Sequence, residues 1–169
     1  TRYSPEDMLT MPDAKSYELV NGELVERNMG GLSSWVAGQL LEFLSTYVRQ
    51  QKAGWVLGAD GSYQCFGDDR NRVRKPDVSF IRRGRLSNDE MPIGHIQVPP
   101  DLAVEVISPN DLYLDVQTKV AEYLTGGVSQ VWVIDPEHRT VLINFADEEP
   151  PVFLREADTL YVLFVLSFL

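Results

Sequence analysis

Residues 102–107 read LAVEVI, and this run limits the fold more than any other stretch. Apolar side chains do not alternate with polar ones here, so a strand made from it is covered on both faces. Such a strand lies inside a sheet, and the elements around it predict an α+β (mixed α/β) chain. Residues 17–28 hold Asn21-Gly22 between two apolar runs, the strongest short-range signal for a hairpin with a type I′ turn. A helix is expected over 33–50, with Trp35, Leu40, Phe43, Leu44, Tyr47 and Val48 as its stripe and Ser33 or Ser34 as its cap. Strands follow at about 55–58, 62–67 and 76–82, then an irregular stretch over 83–100. A second helix over 111–125 stops at Gly126-Gly127, and strands at 131–134 and 140–145 flank the turn at 135–138. No linker divides the 169 residues, so one domain over 1–169 is expected.

The net charge is −10, which argues against indiscriminate nucleic-acid binding by the whole chain. The charge is uneven, however. Residues 70–85 carry seven basic side chains against one acid, a local +6 that leaves −16 elsewhere. Arg72, Arg74, Lys75, Arg82, Arg83 and Arg85 form either a solvated basic face or a patch able to meet phosphates. Cys65 is the only cysteine, so no intrachain disulfide can form. No apolar run is long enough to span a bilayer, and no signal-like segment opens the chain; a cytoplasmic protein without membrane contact is expected.

Glu105 carries the most chemical information. A carboxylate inside a buried strand is costly unless it is paired or binds a metal. By two-residue alternation Glu105 shares a face with Ala103, as Asp77 does with Ser79 on the earlier strand. If the strands pair, the two carboxylates enter one pocket and repel until a cation neutralises them. Mg²⁺ suits that site, because it takes oxygen ligands and retains waters. The backbone carbonyl of Val106 can complete the protein side. Lys119 lies within the apolar stripe Leu112, Val116, Val120, Tyr123, Leu124, so it either snorkels outward or reaches a polar site. Asp115, one turn earlier, is a possible partner. His95 and His138 read as loop and turn residues, and no zinc or serine-hydrolase motif is present.

Several motifs in order carry a family resemblance: YELVNGEL at 17–24, KPDV at 75–78, LAVEVISP at 102–109, then Asp115, Lys119, Tyr123, Gly127-Val128 and VWVIDP at 131–136. Over about residues 5–146 the chain resembles the Uma2 family of bacterial endonucleases, common in cyanobacteria, and through it the PD-(D/E)XK nucleases. The resemblance implies a restriction-endonuclease-like core, a central mixed sheet flanked by helices. It also implies Mg²⁺-dependent (or Mn²⁺-dependent) hydrolysis of DNA, with Asp77 and Glu105 as catalytic metal ligands. Two points depart from the pattern. The usual lysine two residues after the acid is Ile107, so Lys119 has to substitute. The third acid is Glu18 or Glu23, both on one hairpin face. The basic residues named above would meet flanking phosphates. A homodimer anchored by Trp35 and the apolar run 160–169 is a further expectation. The rival reading, favoured by Ile107, is an inactive nucleic-acid-binding or assembly module on the same fold.

Overall fold

The computed structural model describes residues 2–28, 30–147 and 149–158. Helix α1 (Pro5–Thr10) precedes the hairpin of β1 (Tyr17–Val20) and β2 (Glu23–Glu26), after which come α2 (Gly31–Gln51), β3 (Gly54–Gly58) and β4 (Val78–Arg82). β5 (Leu102–Val106), α3 (Tyr113–Thr125), β6 (Gln130–Asp135), β7 (Thr140–Phe145) and β8 (Val152–Arg155) complete the order. Asn21 and Gly22 both take positive φ, 52° and 80°, as a type I′ turn requires, and Glu18 pairs with Val25. The six strands β3 to β8 form one sheet in sequence order. Only β5 and β6 are parallel, and α3 makes the crossover between them.

Alternation along β5 decides what each layer buries. Leu102, Val104 and Val106 face α2, where Leu44 and Val48 join Val78, Phe80 and Trp132 in the larger core. Ala103 faces α3 and packs with Val116, Val120 and Tyr123. Glu105 projects toward the same layer, two residues on. This is the mixed sheet flanked by helices, with an N-terminal hairpin, that the sequence implies.

Some elements differ from expectation. Residues 62–67 form no strand, because Tyr63 bridges once to Arg74 and once to Ile96 and so supports no continuous ladder. α2 begins two residues early, with Gly30 as cap and the Ser33 hydroxyl bonded back to the Gly30 carbonyl at 3.1 Å. Its buried stripe is rotated to Val36, Ala37, Leu40, Leu41, Leu44 and Val48, leaving Trp35 63% and Phe43 55% exposed. The helix has apolar residues on more than one face, so periodicity alone admitted both registers. Leu112 precedes α3 as its cap and is exposed. α1 and the edge strand β8 carry no strong periodic signal. The run 160–169 lies outside the described residues. Among the described residues no helix is long and apolar enough to cross a membrane.

Gly38 sits inside α2, yet a Cβ there would meet nothing within 4 Å. Glycine in a helix interior costs about 1 kcal/mol relative to alanine. Gly38→Ala is therefore expected to raise the unfolding free energy by about that amount in a urea titration.

Candidate active site

Asp77 immediately precedes β4, and its amide donates to the Val104 carbonyl at 2.9 Å. Val78 pairs with Val104, and the same antiparallel register carried one step on sets Asp77 across from Glu105. The structure thus brings the two predicted carboxylates together on the face that α3 covers. The Val106 amide donates to Asp77 Oδ2 at 2.8 Å, and the Arg27 guanidinium to Oδ1 at 3.1 Å. The Tyr123 hydroxyl donates to Glu105 Oε1 at 2.8 Å, and Lys119 Nζ lies 3.3 Å from Oε2. Lys119 is therefore the inward-reaching lysine, and it pairs with Glu105 and Glu18 instead of Asp115.

The hairpin supplies Glu18 and not Glu23, which is exposed. Leu19 and Val73 exchange backbone hydrogen bonds at 2.9 and 2.8 Å, and this bridge docks β1 onto residues 72–75. Glu18, only 1% exposed, then accepts from the Lys75 amide at 2.8 Å and from Arg74 at 2.9 Å, with Lys119 at 3.1 Å.

These contacts fix the charge states. Burial favours the neutral form of Glu18, but Lys119, Arg74 and the Lys75 amide outweigh it and lower the pKa. Burial also acts against the Lys119 cation, but Glu105 and Glu18 outweigh it and raise the pKa, so the lysine stays charged. Glu105 moves the other way: burial, with Asp77 and Glu18 adding to it and Lys119 offsetting part, pushes its pKa up to about 7. Burial likewise raises Asp77, against the Val106 amide and Arg27. The site holds two carboxylates whose ionisation is opposed until more positive charge arrives.

A cleft of about 380 Å³ opens over them, lined by Glu18, Arg27, Asp77, Glu105, Ile107 and Lys119 among others. Its walls carry seven carboxylates against three cations. Among the described residues no group of three or more His, Cys, Asp or Glu side chains is spaced to hold a metal ion. The donor chemistry nevertheless fits a small hard cation on two carboxylates. An ionised carboxylate has about four lone-pair sites. Asp77 and Glu105 each spend one per oxygen on the contacts above, so both retain capacity for an ion.

The six basic residues of the predicted patch do not form one surface. Arg72 is buried against Asp68 and Glu122, and Arg74 against Glu18 and Glu122. Lys75 is buried, with its ammonium on the Ala14 carbonyl. Arg82 and Arg85 pair with Asp101, and Arg83 with Asp89. Arg82 is five residues beyond Asp77, about 16 Å along an extended strand. Asp68 and Asp89 are near these cations in sequence, but Glu18, Glu122 and Asp101 are distant, and composition alone does not reveal such partners. Arg27 and Tyr123 are site residues that the sequence reading left out. Arg27 had a signal: continued alternation places it on the face of Glu18, Glu23 and Val25.

The comparisons with known proteins agree with this architecture. A crystal structure of a "putative nuclease belonging to DUF820" from Anabaena variabilis ATCC 29413 is similar to this chain with a TM-score of 0.78. The two are 23% identical, over 98% of this chain and 92% of that one. No curated protein matches. The family model described as "Uma2: Putative restriction endonuclease" matches residues 5–167. With that match spanning nearly its whole length, the chain belongs to the Uma2 family.

Proposed function

We propose that this chain is a divalent-metal-dependent endonuclease that hydrolyses DNA phosphodiesters. The observation that carries this reading is that Asp77 and Glu105 line one cleft, with Lys119 3.3 Å from Glu105. Asp77 and Glu105 would hold Mg²⁺ or Mn²⁺, with the Val106 carbonyl completing the protein ligands. When bound there, the ion would acidify a water and offset negative charge on the phosphoryl oxygens.

The chain's own residues do the positioning. The Val106 amide and Arg27 fix the two oxygens of Asp77. Tyr123 holds Glu105 in one rotamer. Lys119 keeps a positive charge beside the pair, where it can stabilise charge developing on the phosphate. Glu18 holds that ammonium in place. Ile107 occupies the usual lysine position, and the reach of Lys119 to Glu105 supports its role as the substitute. Because the cleft walls are mostly acidic, DNA should enter only with the divalent ion, and EDTA should abolish binding as well as cleavage. Arg82, Arg83 and Arg85 would meet phosphates away from the scissile bond.

The test is cleavage of supercoiled and single-stranded DNA in Mg²⁺, Mn²⁺ or EDTA. Asp77→Ala and Glu105→Ala are expected to abolish metal-dependent cleavage. Lys119→Met is expected to lower kcat by about 10²–10³-fold, the range for losing one electrostatic stabiliser, while Mn²⁺ still binds. Wild-type protein that binds Mn²⁺ through Asp77 and Glu105 but cuts neither substrate would overturn the proposal.

A further inference from the structure

A second cleft of about 240 Å³ opens on the other side of Asp77. Asn28, Asp77 and Val106 line both clefts, so the two make one groove bent over the end of β5. The chemistry changes along that groove. The arm toward α3 is crowded with charged groups. The arm along the first half of α2 has no charged side chain except Asp77, and presents Ser33, Ser34, Gly38, Ala59 and Ser108.

Gly38 separates this arm from an ordinary packing gap. A glycine in a helix interior needs a reason, since it weakens the helix. Packing is not the reason, because a Cβ at 38 would touch nothing within 4 Å. Gly58, in the same wall, is different: its Cβ would lie 3.1 Å from Leu41 Cδ2. The effect of a side chain at position 38 would be to narrow the groove beside Asp77.

We propose that this uncharged arm seats a nucleoside, the sugar and base adjoining the phosphate that lies over Asp77 and Lys119. This rests on reading the charged arm as the phosphodiester site. A nucleic-acid strand alternates charged phosphate with uncharged nucleoside, and the groove alternates in the same sense. The small residues fit a sugar and base by shape, and the exposed Ser34 hydroxyl can hydrogen-bond adaptably, while the Ser33 and Ser108 hydroxyls are buried against each other at 2.7 Å and form the floor. Asn28 is the amide side chain on this wall, and its Nδ2 is committed to the Asn110 carbonyl at 3.2 Å and the Asp111 carboxylate at 2.9 Å, so it does not offer the bidentate pattern that distinguishes one base from another. The strand is therefore held with little base preference.

A graded series tests this assignment: Gly38→Ala, Gly38→Leu and Gly38→Phe, with Ser34→Leu on the same wall as a second obstruction. Each is read by affinity for a short fluorescein-labelled oligodeoxynucleotide in Ca²⁺, by kcat/KM for cleavage in Mg²⁺, by Mn²⁺ affinity, and by thermal melting. The expected result is a loss that grows with side-chain size and reaches at least about tenfold at Phe, the size carried by one displaced nucleoside. Mn²⁺ affinity and folding should be retained throughout. Oligonucleotide affinity and kcat/KM unchanged in folded Gly38→Phe and Ser34→Leu would overturn the subsite and leave the nuclease reading standing. A wild-type protein that binds the oligonucleotide without cutting it, weakened by the same variants, would retain the subsite and remove the hydrolytic reading. Wild-type protein that does not bind the oligonucleotide at all would overturn the subsite.

Discussion

Arg74→Met is expected to lower the unfolding free energy by about 3–5 kcal/mol, the usual cost of removing one member of a buried charge cluster. Arg74 spans two acids, with contacts of 2.9 Å to Glu18 and 2.6 Å to Glu122. Methionine keeps much of the volume but leaves Glu18 dependent on Lys119, and Glu122 dependent on Arg72 at 3.5 Å. The pH dependence follows from the direction of the Glu18 shift. Its folded pKa is lowered below the usual 4.5, because Lys119, Arg74 and the Lys75 amide outweigh burial. Its stabilisation is therefore in place above 4.5 and lost as pH falls through the folded value. The gap between wild type and Arg74→Met should be widest near neutrality and close in acid, as the orphaned carboxylates take up protons. Urea titrations at several pH values measure it. An exposed phosphate contact would behave differently: stability would hold, DNA binding would weaken for every sequence, and the salt slope would fall by about one.

Arg74 also shows where sequence reasoning ends. The run 70–85 declares its charge but not its partners, and those of Arg74, Glu18 and Glu122, lie in distant elements. What was legible rested on local periodicity. LAVEVI specified a doubly covered strand, and Asn21-Gly22 specified the hairpin and its register. Two-residue alternation put Asp77 and Glu105 on one face, and helical spacing put Lys119 in an apolar stripe facing it. The choice between Glu18 and Glu23 was not legible, because alternation places both on the same face. The Leu19–Val73 bridge made that choice, by seating β1 against the basic segment while Glu23 stayed exposed. A backbone contact between residues so far apart in sequence leaves no periodic trace. The rotation of α2 was hidden for a related reason: Trp35 and Phe43 are as apolar as the residues that became the core.

Affinity for Mn²⁺ is expected to rise about tenfold per pH unit below 7 and to level off above it. Glu105 sets this profile. Burial raises its pKa most, Asp77 and Glu18 add to the rise, and Lys119 and Tyr123 offset only part, for a net value of about 7. An ion arriving below that pH must displace the proton, and each further unit of acidity costs about one factor of ten. Asp77, also raised by burial, acts in the same direction. The metal-free protein should show the opposite trend. An acid whose folded pKa lies above its usual 4.5 contributes stability in full below 4.5 and loses it as pH rises through about 7. Between about pH 4.5 and 7, melting curves without metal should therefore fall, while curves in saturating Mn²⁺ fall less or rise, since bound ion stabilises in proportion to its affinity. Glu105→Gln should flatten the affinity profile and weaken the site. Lys119→Met should move its midpoint upward, because it removes the strongest group holding the Glu105 pKa down. Affinity that stays constant across this range in wild type would mean that the ion does not use Glu105. The pairing of that carboxylate with Asp77 would then be a feature of the fold, without a part in catalysis.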